Sequence, residues 1–360
     1  MQDKTADQAQ MLFNRLQKRF RHLKKWAQRM GAGAFRLYDR DIPEIPLVLD
    51  FFGECATPQD AAICGSLYKR PYEKDEADET VWLSAMKESI SSALGVKLEN
   101  IFLKQRQKQK GLLQYEKMGQ AQFTKIVKEN SLSFKVNLSD YLDTGLFIDR
   151  RLFRAMVRDV SKNKKVLNLF SYTGAFSVYA AAGGAASTDS VDLSNTYLNW
   201  AKENFALNGF SASITKKNFT TNGTYGSFTN RHELIRADVL EFIKKAIIEK
   251  KLWDIIIVDP PAFSNSKSMT CNFDLNRDLI ELLSQCLKLL SPDGKIFVSV
   301  NVKRGAVQAQ ELEEGLRSLN IRNVRVTDLG SKIEDEDFKG RKMPKAFLLE
   351  REQERGLSAD

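Results

Sequence analysis

The run Asp259-Pro260-Pro261-Ala262-Phe263 is the strongest chemical signal in this 360-residue sequence. It directly follows Trp253-Asp-Ile-Ile-Ile-Val258, which is apolar enough to read as a strand buried on both faces. Two prolines stop such a strand abruptly, because their rings fix φ and keep the preceding residue extended. Asp259 and the next carbonyls are then held rigidly at the strand's carboxyl end. Phe263 can stack on a flat base while Asp259 or a backbone carbonyl accepts from its N–H edge. Pro-Pro also marks ordinary strand exits, so the run gains its weight from companions.

The first companion is Asn168-Leu-Phe170-Ser171-Tyr172-Thr173-Gly174. It holds one glycine, whereas a pyrophosphate needs several so that backbone amides can approach it. Gly174 beside Ser171 and Thr173 suits a smaller, less anionic ligand, such as a nucleoside bearing an amino acid. The second is Asp192, followed by Leu193 and Ser194, eighteen residues beyond Gly174. That is close to the spacing at which a strand-end carboxylate accepts from ribose hydroxyls. A helix cap by Asp192 or Ser194 is the alternative, and the upstream glycine favours ribose. Asp238, before Val239, either accepts from an adenine amino group or caps the next helix.

The elements that must position these residues alternate after Asp159. Strands are expected at Val166–Phe170, Thr188–Leu193, Leu234–Ala237, Trp253–Val258 and Ile296–Val300. Helices are expected at Phe176–Ala182, Asn195–Leu207, Val239–Glu249 and Phe273–Leu290, the last closed by Ser291-Pro-Asp-Gly294. A helix over Gln308–Leu319 and strands at Arg322–Leu329 and Ala346–Glu350 complete the chain. Such alternation is a doubly wound parallel sheet, with ligands at the carboxyl ends of its strands near the switch point.

The earlier part reads differently. Met11, Leu12, Leu16, Phe20, Leu23, Ala27 and Met30 recur at helical steps, so a helix is expected over Asp7–Met30. It carries Arg15, Lys18, Arg19, Arg21, Lys24, Lys25 and Arg29, and no acidic residue lies between Gln8 and Tyr38. A solvated face usually mixes signs, so this bias favours phosphate contact, whereas the net charge of +9 alone fits a polyanion partner and a basic surface without a ligand equally. From Phe35 to Leu138 the pattern is α+β, with strands at Leu47–Phe52 and Ile101–Leu103 and a helix at Val81–Leu94. A second basic run, Lys104-Gln-Arg-Gln-Lys-Gln-Lys110, is a hairpin loop or a strand edge facing nucleic acid.

Composition excludes several classes. No apolar stretch approaches the ~18 residues that span a bilayer. Met1–Gln10 lacks an apolar signal core, so export is not expected. Cys55, Cys64, Cys271 and Cys286 are scattered without a C-x-x-C pair, which argues against zinc or disulfides and suits a reducing cytoplasm. His22 and His232 are the only histidines, so neither a His-rich metal site nor a His-based triad is expected.

At this point the residues resemble a known family. Leu167–Gly174, Val191–Ser194 with Thr196-Tyr-Leu198 and Trp200-Ala201, and Asp259–Lys267 together are similar to the class I large-subunit ribosomal RNA methyltransferases of the RlmK type. That type is the guanine-N7 enzyme forming the C-terminal half of bacterial K/L fusions. Asn14-Arg-Leu16, Arg36–Asp39, Pro43-Glu44, Lys110-Gly111, Gln114-Tyr115, Tyr141–Asp149, Asp337-Phe338 and Arg341 agree as well. The resemblance implies a Rossmann-like, seven-stranded class I methyltransferase sheet over 139–360, preceded by a small α+β RNA-binding domain over 1–138. It implies S-adenosylmethionine as cofactor, no metal, and 23S rRNA or a pre-large-subunit particle as partner. The expected cofactor residues are Phe147, Asp149, Asn168, Phe170, Ser171, Tyr172, Thr173, Gly174, Asp192, Leu193, Ser194, Asp238, Val239 and Asp259. Asp259, Pro260, Pro261, Phe263 and Asn301 are expected at the reacting base. Two stretches depart from the family: Ser299-Val-Asn-Val-Lys-Arg-Gly305 carries one extra residue, and Met343–Phe347 does not match.

Methylation at guanine N7 needs positioning and desolvation rather than a general base, because N7 carries a lone pair and no proton. The near rival, 5-methylcytosine formation, needs a cysteine thiolate. None stands at Ala262 or in Ser299-Val-Asn301. N6-adenine chemistry prefers an aromatic directly after Pro-Pro, where Ala262 intervenes. A fold-retaining RNA-binding assembly factor without turnover is the alternative from another class.

Overall fold

A computed structural model describes residues 2–70, 75–105, 122–216, 231–264, 273–301 and 307–352. Contacts divide the chain into two compact units. The first is Met1–Ile148 with Asp335–Gly340, and the second is Asp149–Glu334 with Arg341–Asp360. The division falls ten residues beyond the expected boundary at 138, and the first unit takes in a short segment from late in the chain.

The first unit opens with α1 (Gln2–Met30), then β1 (Ala34–Asp39), β2 (Leu47–Phe52), β3 (Ala62–Leu67), α2 (Glu76–Leu94), β4 (Ile101–Gln105), β5 (Thr124–Glu129) and β6 (Leu132–Asn137). Strands β1 to β4 form one sheet in sequence order, antiparallel except for β3–β4, and β5–β6 form a separate hairpin. α1 buries Leu12, Leu16, Leu23, Trp26 and Ala27 against this sheet and α2. Gln8 accepts from the Trp82 indole N–H at 2.6 Å, which ties the two helices together. α2 begins five residues before the expected Val81, because Asp75 caps it by accepting from the amides of Ala77 and Asp78. The late segment earns its place through Asp337, which accepts the Arg36 backbone N–H at 2.9 Å, and Phe338, under the Arg36 guanidinium. That gives a physical reason for the Asp337-Phe338 motif.

The second unit runs α3 (Arg151–Val160), β7 (Lys165–Leu169), α4 (Ala175–Ala182), β8 (Ser187–Asp192), α5 (Asn195–Leu207), β9 (Ser213–Lys216), β10 (His232–Arg236), α6 (Val239–Ile248), β11 (Trp253–Val258), β12 (Phe263–Ser264), β13 (Phe273–Asp274), α7 (Leu275–Lys288), β14 (Leu290–Val300), α8 (Ala309–Ser318), β15 (Val324–Asp328), α9 (Gly330–Ile333) and β16 (Lys345–Arg351). One sheet takes the order β15-β16-β14-β11-β7-β8-β10-β9. The pairs from β14 to β9 are parallel, and β16 runs antiparallel to both β14 and β15. The Rossmann-like architecture is therefore present. The sheet has eight strands where seven were expected, because the short β9 extends it beyond β10. Apolar side chains fill both faces, one around Phe242, Leu283 and Val298, the other around Phe153, Phe176 and Phe297.

Two local expectations fail for reasons of turn chemistry. Phe273-Asp274 pairs with Phe263-Ser264 instead of starting the helix, and Asp274 caps α7 by accepting from Asn276 N at 2.9 Å. Ser291-Pro-Asp-Gly294 lies inside β14: the register slips from Trp253↔Leu290 to Ile255↔Lys295, so these four residues have no match on β11.

Candidate functional site

The strand order turns between β7 and β11: later strands add outward through β8 on one side and through β14 on the other. Val258 pairs with both Leu169 and Val298, and Leu169 with Val191, so the carboxyl ends of four strands align. This is the switch point at which open α/β sheets take ligands. Asp259 and the 170–174 loop flank it.

The 170–174 loop is held in a rare shape. Phe170, Tyr172 and Gly174 all have positive φ, at 56°, 50° and 73°. Such backbone costs free energy for non-glycine residues and persists only where the surroundings enforce it. Here Ser171 N donates to Val191 O at 3.0 Å, and the Asn204 amide donates to Thr173 O at 2.9 Å. The Tyr172 ring meets Tyr197 edge-on at 4.5 Å, and the Phe170 ring lies 5.6 Å from Phe273. A Cβ at Gly174 would stand 2.8 Å from the Ala201 Cβ, so only glycine lets the loop lie this close to α5. Thr173 is fully buried, and the Ser171 hydroxyl is buried without a hydrogen-bond partner.

Asp192 ends β8 with its carboxylate braced by backbone amides: Oδ2 accepts from Tyr172 N and Oδ1 from Ser194 N, each at 2.8 Å. Burial outweighs those bonds and pushes its pKa up to about 6. Ser194, rather than Asp192, caps α5, accepting from Tyr197 N. Leu193 is half-buried between them. Asp238 does cap α6, accepting from Glu241 N at 3.0 Å, and Val239 is buried as the first helical residue.

Asn168 is committed elsewhere. It is buried, its amide donates to Ser177 Oγ at 2.9 Å, and Ser190 Oγ donates to the same oxygen at 2.7 Å. Strand alternation turns its side chain toward α4, so its part in the site is to pin strand to helix.

Beyond β11, Pro260 is buried, Pro261 half-buried and Ala262 exposed. The Ala262 carbonyl accepts from Leu275 N at 3.1 Å, tying the exit to the start of α7. Phe263 is 43% exposed, an uncovered aromatic at a strand exit. Asp259 Oδ1 accepts from Arg150 Nη2 at 3.3 Å. Arg150 is buried, and its Nη1 lies 3.2 Å from Asp149 Oδ2. The sequence reading did not single out Arg150. Its signal was only the acidic neighbour Asp149 at the end of the Tyr141–Asp149 motif.

Phe147 belongs to the first unit, where it is 44% exposed. Asn301 is exposed directly after β14. Val302 to Ala306 of the departing turn, most of the Lys104–Lys110 run, Asn265–Lys267 and Cys271 lie outside the described residues.

On α1, Lys18, Arg21, Lys25 and Arg29 are exposed at three- and four-residue steps, which puts them on one stripe. Arg15 is paired with Asp41 at 2.7 Å, and Arg19 donates to the Asp337 carbonyl at 3.2 Å. Lys24 is half-buried. No described helix is long and apolar enough to cross a membrane. Among the described residues no cluster of three or more His, Cys, Asp or Glu is set for a metal ion.

Comparison with known proteins adds the family. Residues 95–320 match the model for S-adenosylmethionine-dependent methyltransferases. Ribosomal RNA large subunit methyltransferase K of Neisseria meningitidis serogroup B is 40% identical over 93% of this chain and 86% of its own length. The K/L methyltransferase of Shewanella sp. strain MR-4 is 40% identical over 90% of the chain, which spans only 42% of that longer protein. Among solved structures, the methyltransferase SMU.776 complexed with SAH superposes with a TM-score of 0.68 at 24% identity, over 95% of this chain and 81% of that one. The SAM-dependent methyltransferase from Agrobacterium tumefaciens gives 0.54 at 21% identity, over 85% and 87%. These two show the shared fold. The chain belongs to the S-adenosylmethionine-dependent methyltransferases, in the family of ribosomal RNA large subunit methyltransferase K.

Proposed function

We propose that the chain methylates N7 of a guanine in 23S ribosomal RNA, either free or within a pre-large-subunit particle. The names of the Neisseria and Shewanella relatives support the RNA substrate. The cationic stripe Lys18-Arg21-Lys25-Arg29 gives a phosphate backbone something to meet.

S-adenosylmethionine supplies the electrophilic methyl group. Three observations fit this cofactor to the ends of β7 and β8. Ser171 carries an orphaned buried hydroxyl. Gly174 keeps the loop pressed against α5, where a side chain has no room. The Asp192 carboxylate is desolvated with only backbone donors, and ribose hydroxyls would supply more. In this reading Asp192 holds the ribose, loop residues Phe170 to Gly174 hold the methionyl end, and Asp238 with Val239 borders the adenine.

The purine-N7 reading is carried by the exit from β11. It offers a carboxylate at Asp259 and an exposed ring at Phe263, with no thiol among its described residues. Phe263 stacks on the base, and Asp259 stabilises the positive charge that develops on the guanine ring. Cytosine-C5 chemistry needs a thiolate, and burial opposes one at each described cysteine. Cys55 and Cys64, both in the first unit, are pushed up to about 11, and Cys286, inside the α7 core, to about 12.

The test is to methylate rRNA from cells lacking this protein, digest it, and identify the nucleoside by mass spectrometry. 7-Methylguanosine is expected. 5-Methylcytidine or N6-methyladenosine would overturn the reading, and cofactor binding without methylation of any RNA would favour the assembly-factor alternative.

A further inference from the structure

We infer that Arg150 is a positioning residue that aims the Asp259 carboxylate, an inference that rests on the role proposed for Asp259 above. Arg150 ends a short 3-10 turn, Ile148–Arg150, and its side chain is only 6% exposed. Its Nη2 donates to Asp259 Oδ1, and its Nη1 lies against Asp149 Oδ2, so one guanidinium bridges two carboxylates. The fork is planar, and its hydrogen bond to Asp259 fixes that carboxylate while the charge of Asp149 lies alongside.

Three features make this more than a structural ion pair. Asp259 follows a strand exit whose backbone is already stiffened by two prolines, so the remaining freedom lies in its side chain. Arg150 removes that freedom by holding Oδ1. Oδ2 carries no hydrogen bond among the described residues, so the anchored carboxylate offers one free oxygen at the switch point. The guanidinium also neutralises one of the two acids. The cluster of Asp149, Arg150 and Asp259 therefore keeps a single net negative charge, suited to a reaction that develops positive charge on its substrate.

Finally, the Arg150 Nε and Nη1 atoms are buried without a hydrogen-bond acceptor of good geometry. Burying a charged fork in this under-satisfied state is costly for a purely structural element. A well-packed apolar residue would serve stability better. The arrangement makes sense where an oriented carboxylate is the purpose.

The test compares Arg150→Lys and Arg150→Met with wild type in the full chain. Methyl transfer to rRNA and the dissociation constant for S-adenosylmethionine are measured separately, with Asp259→Asn in parallel. Arg150→Met should lower kcat about a hundredfold while the cofactor constant moves less than about threefold. Arg150→Lys keeps the charge but loses the fork, and should recover part of the loss. Asp259→Asn should lower single-turnover transfer to a small residue, and adding Arg150→Met to it should cost little more.

If Arg150→Met retains kcat while Asp259→Asn has lost it, the inference is overturned and the role of Asp259 stands. If Asp259→Asn itself retains activity, the reading of the site fails instead. An Arg150→Met protein that does not fold leaves Arg150→Lys to decide. Wild-type kcat in that variant, or equal losses in kcat and cofactor binding, would overturn the inference.

Discussion

Tyr172 and Asp192 are joined across the ends of β7 and β8 by a 2.8 Å hydrogen bond from the Tyr172 amide to Asp192 Oδ2. The bond couples a backbone in the left-handed region to a carboxylate that burial disfavours. Each half is unfavourable alone, and each is held by the other.

Asp192→Asn should therefore weaken S-adenosylmethionine binding about tenfold to a hundredfold, since a charge-assisted hydrogen bond contributes about 1.5–3 kcal/mol. Calorimetric titration measures it. In the proposed ribose role the carboxylate must be ionised to accept from both hydroxyls. With its pKa raised to about 6, cofactor affinity should fall as the pH drops through 6. A flat affinity from pH 7.5 to 5 would remove Asp192 from the site.

The same shift has a sign for stability. The folded state holds the Asp192 proton more tightly than the unfolded chain, so this group adds stability as pH falls from about 6 toward 4. His232 does the reverse. It is buried between Phe205 and Phe210, bonded to Thr188 at 3.1 Å, and lowered to about 4 by burial. Its contribution is complete above pH 6.5 and is lost as pH falls through 4. Each effect is worth up to about 3 kcal/mol, so the two largely cancel. Asp192→Asn should unmask the histidine: its denaturation midpoint should fall more steeply than the wild type's between pH 6.5 and 4.

Gly174→Ala combines a left-handed φ with a 2.8 Å collision against Ala201. It should destabilise by roughly 2–5 kcal/mol and lower cofactor affinity at least about tenfold. Gly209 is a control with a similar φ of 77° and nothing within 4 Å of the added Cβ. Gly209→Ala should cost about 1 kcal/mol and leave cofactor binding alone. Thermal melts with cofactor titration distinguish the two.

Replacing Lys18, Arg21, Lys25 and Arg29 together by glutamine should weaken binding to rRNA fragments and lessen the salt dependence. The slope of log affinity against log salt should drop by about two to three. Cofactor affinity should not change. Arg15→Gln, by contrast, breaks the pair with Asp41 and should act mainly on stability. Fluorescence anisotropy over a salt series reads the slopes, and an unchanged slope in the quadruple variant would exclude the stripe from RNA contact.

The strand-end motifs were legible because each is local. An apolar strand, a turn glycine and an acid at a fixed distance sit within about twenty residues of one another, and the chain's own periodicity places them. Asn168 was legible as a strand end, but not its use: the serines it binds sit on α4 and β8 and carry no periodic signal. Arg150 was missed because its partner lies 109 residues away. The strand β9 was missed because Ser213-Ile-Thr-Lys216 is short and has a single apolar residue. The helix stop expected at Ser291–Gly294 was read from good turn residues. Those residues serve equally well to loop out of a strand.

The Asp335–Gly340 segment sets an order for the birth of the molecule. A growing chain emerges from its N-terminus, and domains ordinarily fold as they appear. Here α1 and β1 emerge before the second unit, yet Asp337 accepts the Arg36 amide and offers its carbonyl to Arg19, and it arrives some three hundred residues later. The first unit must wait, incompletely fastened, until some three hundred further residues have been translated. Refolding of the chain, where every segment is present at once, should therefore complete this unit by a route that synthesis does not offer.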